Sequence, residues 1–144
     1  MARNKQAISG RTRVLFSGEL TQPDNSKYTI LLDTTQDIPN EHEAAGGKSA
    51  AVPTVGARRG QALGRQYGIA ISCTGQNCTV LQYHLHADGA WHLFRSTTVT
   101  AAADPQSFAW DPSAYGATDA LALVQAGATA PTKIYADLTE RTLP

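Results

Sequence analysis

The sequence predicts an all-β fold, an antiparallel sandwich of two sheets with jelly-roll-like connectivity. Two features of the 144-residue chain point there. Residues of β-branched and aromatic type come in short runs at even spacing, and turn-forming residues separate the runs. No segment is long and periodic enough to demand a helix. The length is that of one ordinary domain, large enough to bury a core without covalent staples.

Taken in order, strands are expected near Thr12–Ser17, Lys27–Asp33, Tyr67–Cys73, Thr79–His86, Trp91–Val99, Gln106–Trp110, Thr118–Ala126 and Thr132–Arg141. Eight strands at this spacing suit two packed sheets. Pro23-Asp24-Asn25, Gly75-Gln76-Asn77, Asp88-Gly89, Asp104-Pro105, Asp111-Pro112 and Ala130-Pro131 supply the breaks, because each sets a turn conformation or removes a ladder donor. The stretch Asp119–Ala126 is rich in helix formers, with Thr118 as a possible cap and Gly127 as a stop. The strand reading is preferred, since Leu121 and Leu123 alternate and eight residues make a marginal helix. It also allows a hairpin through Ala128–Pro131 onto Ile134, Ala136 and Leu138.

Two segments stand apart from this β-core. Residues 1–10 read as a polar arm, and Thr34–Gln66 as a long Gly/Ala-rich loop with Gly46-Gly47, Gly56, Gly60 and Gly64. Long loops on rigid scaffolds are generally functional or disordered.

Register follows from keeping apolar side chains on one face. A three-residue loop Ala87-Asp88-Gly89, with Gly89 left-handed, pairs His84 with His92, Leu85 with Trp91 and Tyr83 with Leu93. Leu81, Tyr83, Leu85, Trp91 and Leu93 are then expected to face the core, and His84, His86 and His92 to share the other side. A hairpin through Gly75-Gln76-Asn77 pairs Ile71 with Leu81, sends Cys73 and Cys78 to opposite faces, and so disfavours a disulfide.

Chemistry-bearing motifs are sparse. Gly46-Gly47-Lys48-Ser49 lacks the first glycine, strand and helix of a phosphate-binding loop. The three histidines have ligand chemistry but no placed fourth group, so no metal and no cofactor is expected. Asp88, Asp104, Asp111 and Asp119 are accounted for by turn formation, and the serines have no nucleophile context. No catalytic residue is assigned. Arg58, Arg59 and Arg65 form the one local basic patch, whose guanidinium groups suit carboxylates or phosphates on a partner. Trp110, at a strand end, is the candidate sugar platform of an alternative reading as a carbohydrate- or receptor-binding module. Twelve basic and twelve acidic residues leave zero net charge, which argues against a nucleic-acid partner. No apolar run is long enough for a membrane helix. The polar start, Met1–Gln6, predicts no secretory signal and folding in the cytosol.

The C-terminal third, Pro105–Pro112 with the run Ala126–Thr139, resembles the small β-rich virion proteins of tailed bacteriophages, including capsid decoration (cement) proteins. The polar arm and the Ala/Gly/Thr-rich texture are similar in style. The resemblance implies a structural protein without catalysis on the capsid exterior, made in the host cytoplasm. It further implies the major capsid protein as partner and a homo-oligomer, with a trimer favoured.

Overall fold

The computed structural model describes residues 11–20, 27–35, 48–49, 58–127 and 133–143. The arm 1–10, and 36–47 and 50–57 of the long loop, lie outside the described residues. All eight expected strands are present: β1 (Arg11–Glu19), β2 (Lys27–Asp33), β4 (Arg65–Thr74), β5 (Cys78–Leu85), β6 (Trp91–Val99), β7 (Ala102–Trp110), β8 (Asp119–Gln125) and β9 (Lys133–Thr142). A two-residue strand, β3 (Lys48–Ser49), pairs with the start of β2.

One sheet has the order β1-β9-β4-β7, and the other β3-β2-β8-β5-β6. Every pairing is antiparallel. Apart from the short β3, the chain changes sheet at every connection except the β5–β6 hairpin. That interleaving is the jelly roll. The β5–β6 hairpin has the register read from the sequence, His84↔His92, Leu85↔Trp91 and Tyr83↔Leu93, and Gly89 is left-handed at φ 77°.

Two expected hairpins and one expected break are corrected; the break at Asp104-Pro105 falls inside β7, which starts at Ala102. β4 and β5 do not pair, and neither do β8 and β9; each of these connections crosses from one sheet to the other. Alternation alone fits both arrangements. Across a sheet-to-sheet corner each strand turns its apolar face to the interior independently, so parity through the turn is not constrained. Cys73 and Cys78 consequently both point inward, each 1% exposed, rather than to opposite faces.

The main core lies between the sheets. It takes Tyr67, Ile69 and Ile71 from β4, Ile134, Ala136 and Leu138 from β9, and Leu31, Leu32, Val80, Ala122, Val124 and Trp110 from their partners. A second apolar cluster, Tyr28, Ile30, Tyr83, Leu121 and Leu123 with Leu81 and Trp91 against it, occupies the other face of the β2-β8-β5 sheet. β8 is thus buried on both faces, which explains its unbroken Ala/Leu/Val composition. The same two-sidedness overturns the expected core face of β5. Tyr83 belongs to the outer cluster, Leu93 is 55% exposed, and His84 faces the main core at 2% exposure.

Between Val80 and His84, Gln82 is fully buried and, among the described residues, neither its amide oxygen nor its nitrogen has a hydrogen-bond partner. An unpaired buried amide costs about 1–3 kcal/mol. Replacing it with methionine, which is of similar shape and has nothing to satisfy, is expected to raise stability by about 1–2 kcal/mol in urea unfolding. A destabilised Gln82→Met protein would show that the amide does find a partner.

Candidate functional site

Four connections meet at one end of the sandwich: the exit of β2, residues 58–64 entering β4, the β5–β6 loop and the β7–β8 loop. Backbone hydrogen bonds tie them together, with Thr34 N–H donating to Ala120 O, Ala62 N–H to Thr118 O, Thr118 N–H to Leu85 O and Leu143 N–H to Gly64 O. All four candidate residues, Arg58, Arg59, Arg65 and Trp110, fall at this end.

Asp119 holds it together. Its carboxylate is fully buried at the start of β8. Oδ2 accepts from the N–H groups of Arg59 at 2.8 Å and Gly60 at 3.0 Å, and Oδ1 from that of Gln61 at 3.2 Å. Thr34 Oγ1 donates to Oδ1 at 2.7 Å and Thr118 Oγ1 to Oδ2 at 3.2 Å. Three successive amides turned toward one point make an anion-binding concavity, and here the protein's own carboxylate fills it. Gly60, at φ 73°, supplies the left-handed residue that such a turn needs. Asp119 is therefore not explained by a local turn. Its donors come largely from residues about sixty positions earlier, which no local sequence signal could reveal.

Arg65, whose side chain is 31% exposed, also braces the fold from within. Its Nη1 lies 2.9 Å from Glu140 Oε1, and Arg13 Nε reaches the same oxygen at 2.9 Å. Glu140 is buried, in ladder register with both Arg13 and Tyr67. Burial, and next the Glu140 charge, push the Tyr67 phenol above its ordinary pKa, so it stays protonated. Arg58 and Arg59 are exposed. Arg59 Nη1 lies 3.5 Å from the Thr35 carbonyl oxygen.

Trp110 is corrected. It is 1% exposed, packed 6.0 Å from the Tyr67 ring, and cannot offer a face to a sugar. Its indole N–H points at His84 Nε2 at 2.9 Å. The His84 ring stacks against Phe94 (4.3 Å, 19°) on one side and lies nearly parallel to Trp110 (5.8 Å, 12°). Desolvation first, then His86 and Arg95, lower the His84 pKa to about 4, which leaves it neutral and accepting. Phe94 takes part because it lies two residues after His92, the ladder partner of His84, and so packs on the same core-facing side.

The β7–β8 loop places the outermost ring. Asp111 Oδ1 accepts from Ala114 N–H at 3.3 Å and from Ser113 Oγ at 3.2 Å, capping a 3₁₀ turn over Pro112–Tyr115. Tyr115 leaves that turn 59% exposed, 4.8 Å from Phe94. Leu63, in the 58–64 loop, is 55% exposed. His92 Nε2 and Asp88 Oδ2 form a surface pair at 2.8 Å, and the Ala90 amide, then His92, hold the Asp88 carboxyl below its usual range. Among the described residues, no group of three or more His, Cys, Asp and Glu side chains is arranged to hold a metal ion.

No family model and no curated protein matches the chain. Among solved structures, a chain from the work titled "Bacillus endospore appendages form a novel family of disulfide-linked pili" is similar in fold. The TM-score is 0.53 at 11% sequence identity, over 94% of this chain and 90% of that one. The likeness is one of fold: a β-sandwich spanning nearly the whole of both chains.

Proposed function

We propose that this chain is a structural protein that docks on neighbouring subunits through the loop end of its jelly roll, as a decoration protein on the outside of a viral capsid. The observation that carries the reading is a loop end tied together by the Asp119 carboxylate, on which Leu63, Tyr115, Arg58 and Arg59 are all exposed. Tyrosine and arginine on a preorganised surface are the residue types that dominate protein interfaces. The ionisable groups beneath it are committed inward. Asp119 is ringed by donors, Glu140 holds two arginines, and His84 accepts from Trp110. A fold shared with a pilus chain supports a structural role. The partner that fits is the major capsid protein, with acidic groups facing the two arginines and an apolar recess for Tyr115.

The test is co-sedimentation with capsid shells. Arg58→Glu combined with Arg59→Glu is expected to weaken binding at least about tenfold, and Tyr115→Ala by a similar factor, with folding unchanged. Binding of both variants at wild-type affinity would remove this end as the docking surface. Polymerisation of the chain alone, with no affinity for shells, would favour a self-assembling filament subunit.

A further inference from the structure

At the opposite end of the sandwich, β4 passes to β5 through Thr74–Asn77, the tight corner that joins the two sheets. Cys73 is the last residue but one of β4 and Cys78 opens β5, so the two thiols belong to different sheets. Both are free and 1% exposed. The Cys73 thiol donates to the Val99 carbonyl at 3.4 Å, and Val99 is the ladder partner of Cys78. Cys73 therefore reaches across the gap between the sheets to the strand pair that carries Cys78, and both thiols lie in the same core.

The corner is held firmly. Asn77 Oδ1 accepts from Ala101 N–H at 2.9 Å, tying it to the β6–β7 crossover. On its other side, Gly127 packs so closely that a Cβ there would meet the Asn77 carbonyl oxygen at 2.7 Å.

We propose that Cys73 and Cys78 form a disulfide that staples the two sheets when the chain folds in the presence of a small-molecule disulfide. One thiolate attacks a disulfide such as oxidised glutathione, giving a mixed disulfide and one glutathione thiolate. The second cysteine then attacks the protein sulfur of that mixed disulfide and releases the second glutathione. The two cysteines lose two electrons and two protons, and oxidised glutathione becomes two reduced molecules. In the folded protein the thiols are shielded, and burial, with Cys73 beside it, pushes the Cys78 thiol up, so little thiolate is present to react. Oxidation is thus confined to chains that have not yet closed the corner, and the bond records the conditions of folding.

The experiment compares refolding from urea in a glutathione redox buffer with exposure of native reduced protein to the same buffer. The refolded monomer is expected to lose both free thiols and two hydrogens in mass, with a cross-linked peptide joining Cys73 to Cys78. Its Tm should rise by roughly 4–8 °C over the reduced form, the size expected for a short closed loop. Native reduced protein should keep both thiols. A Cys73→Ala, Cys78→Ala variant refolded alongside should show no gain in Tm from the buffer. Refolded monomer that retains two thiols, carries glutathione, or links between chains would overturn the proposal. Rapid oxidation of the native protein would overturn its restriction to folding.

Discussion

Replacing Asp119 with alanine is expected to lower stability by about 3–5 kcal/mol, among the largest effects of any single substitution in this chain. The carboxylate is buried and satisfies three backbone amides and two hydroxyls at once. Alanine removes the acceptor and leaves those buried donors without it. Thr34 is part of the same unit, because its hydroxyl donates to Asp119 and accepts from Ala120 N–H at 3.0 Å. Asp119→Asn keeps the shape but turns an amide toward N–H groups, and about 2–3 kcal/mol should be lost. Urea midpoints at constant m-value measure both. A loss below about 1 kcal/mol for the alanine variant would show that other groups hold residues 58–62. Since the same amides position Arg59 and the neighbouring Leu63, the asparagine variant should also bind capsid shells more weakly while still folded.

Acidification should unfold the protein through His84. Its folded pKa of about 4 lies below the unfolded value near 6.5, so the unfolded chain binds the proton more tightly. The His84 contribution is therefore complete above pH 6.5 and is lost progressively as the pH falls to about 4, after which the loss levels off. The difference corresponds to about 3 kcal/mol. The physical cause is plain in the geometry. A proton on Nε2 would face the indole N–H of Trp110, inside a stack of Phe94 and Trp110, with His86 and Arg95 nearby. Unfolding free energies from pH 8 to pH 4 for wild type and His84→Phe separate this group from the shared carboxylate background. Phenylalanine keeps the stack and leaves the indole N–H unpaired, a penalty that does not vary with pH. The two proteins should converge by about 2–3 kcal/mol as the pH falls, and parallel curves would clear His84 of any part in acid sensitivity.

Strand positions were legible because they depend on neighbours in sequence. Residue type, spacing and turn chemistry placed all eight long strands, and the register of the β5–β6 hairpin followed from Gly89 and the apolar alternation. β8 read correctly despite its helix-forming alanines and leucines, and burial on both faces is why those residues are there. The candidate site was legible only in outline. The sequence singled out Arg58, Arg59, Arg65 and Trp110, and the fold gathers them at one end, yet Trp110 is buried and Arg65 pairs with Glu140. Trp110 follows Phe108 by two positions on a strand whose alternate side chains meet the core, a pattern that a strand-end position obscured. Arg65 meets Glu140, seventy-five residues on, and nothing local to either announces the pair.

By itself, then, the chain specified its β segments, most of the turns between them and the β5–β6 hairpin, since each is set by interactions a few residues apart. Which strands share a sheet, which face of β5 is interior, where Cys73 and Cys78 point and what Asp119 holds were decided only by tertiary structure. In a jelly roll nearly every connection crosses between sheets, so the partners that satisfy a buried group come from distant strands. Alternation with a period of two records that a side chain is covered, but not by what.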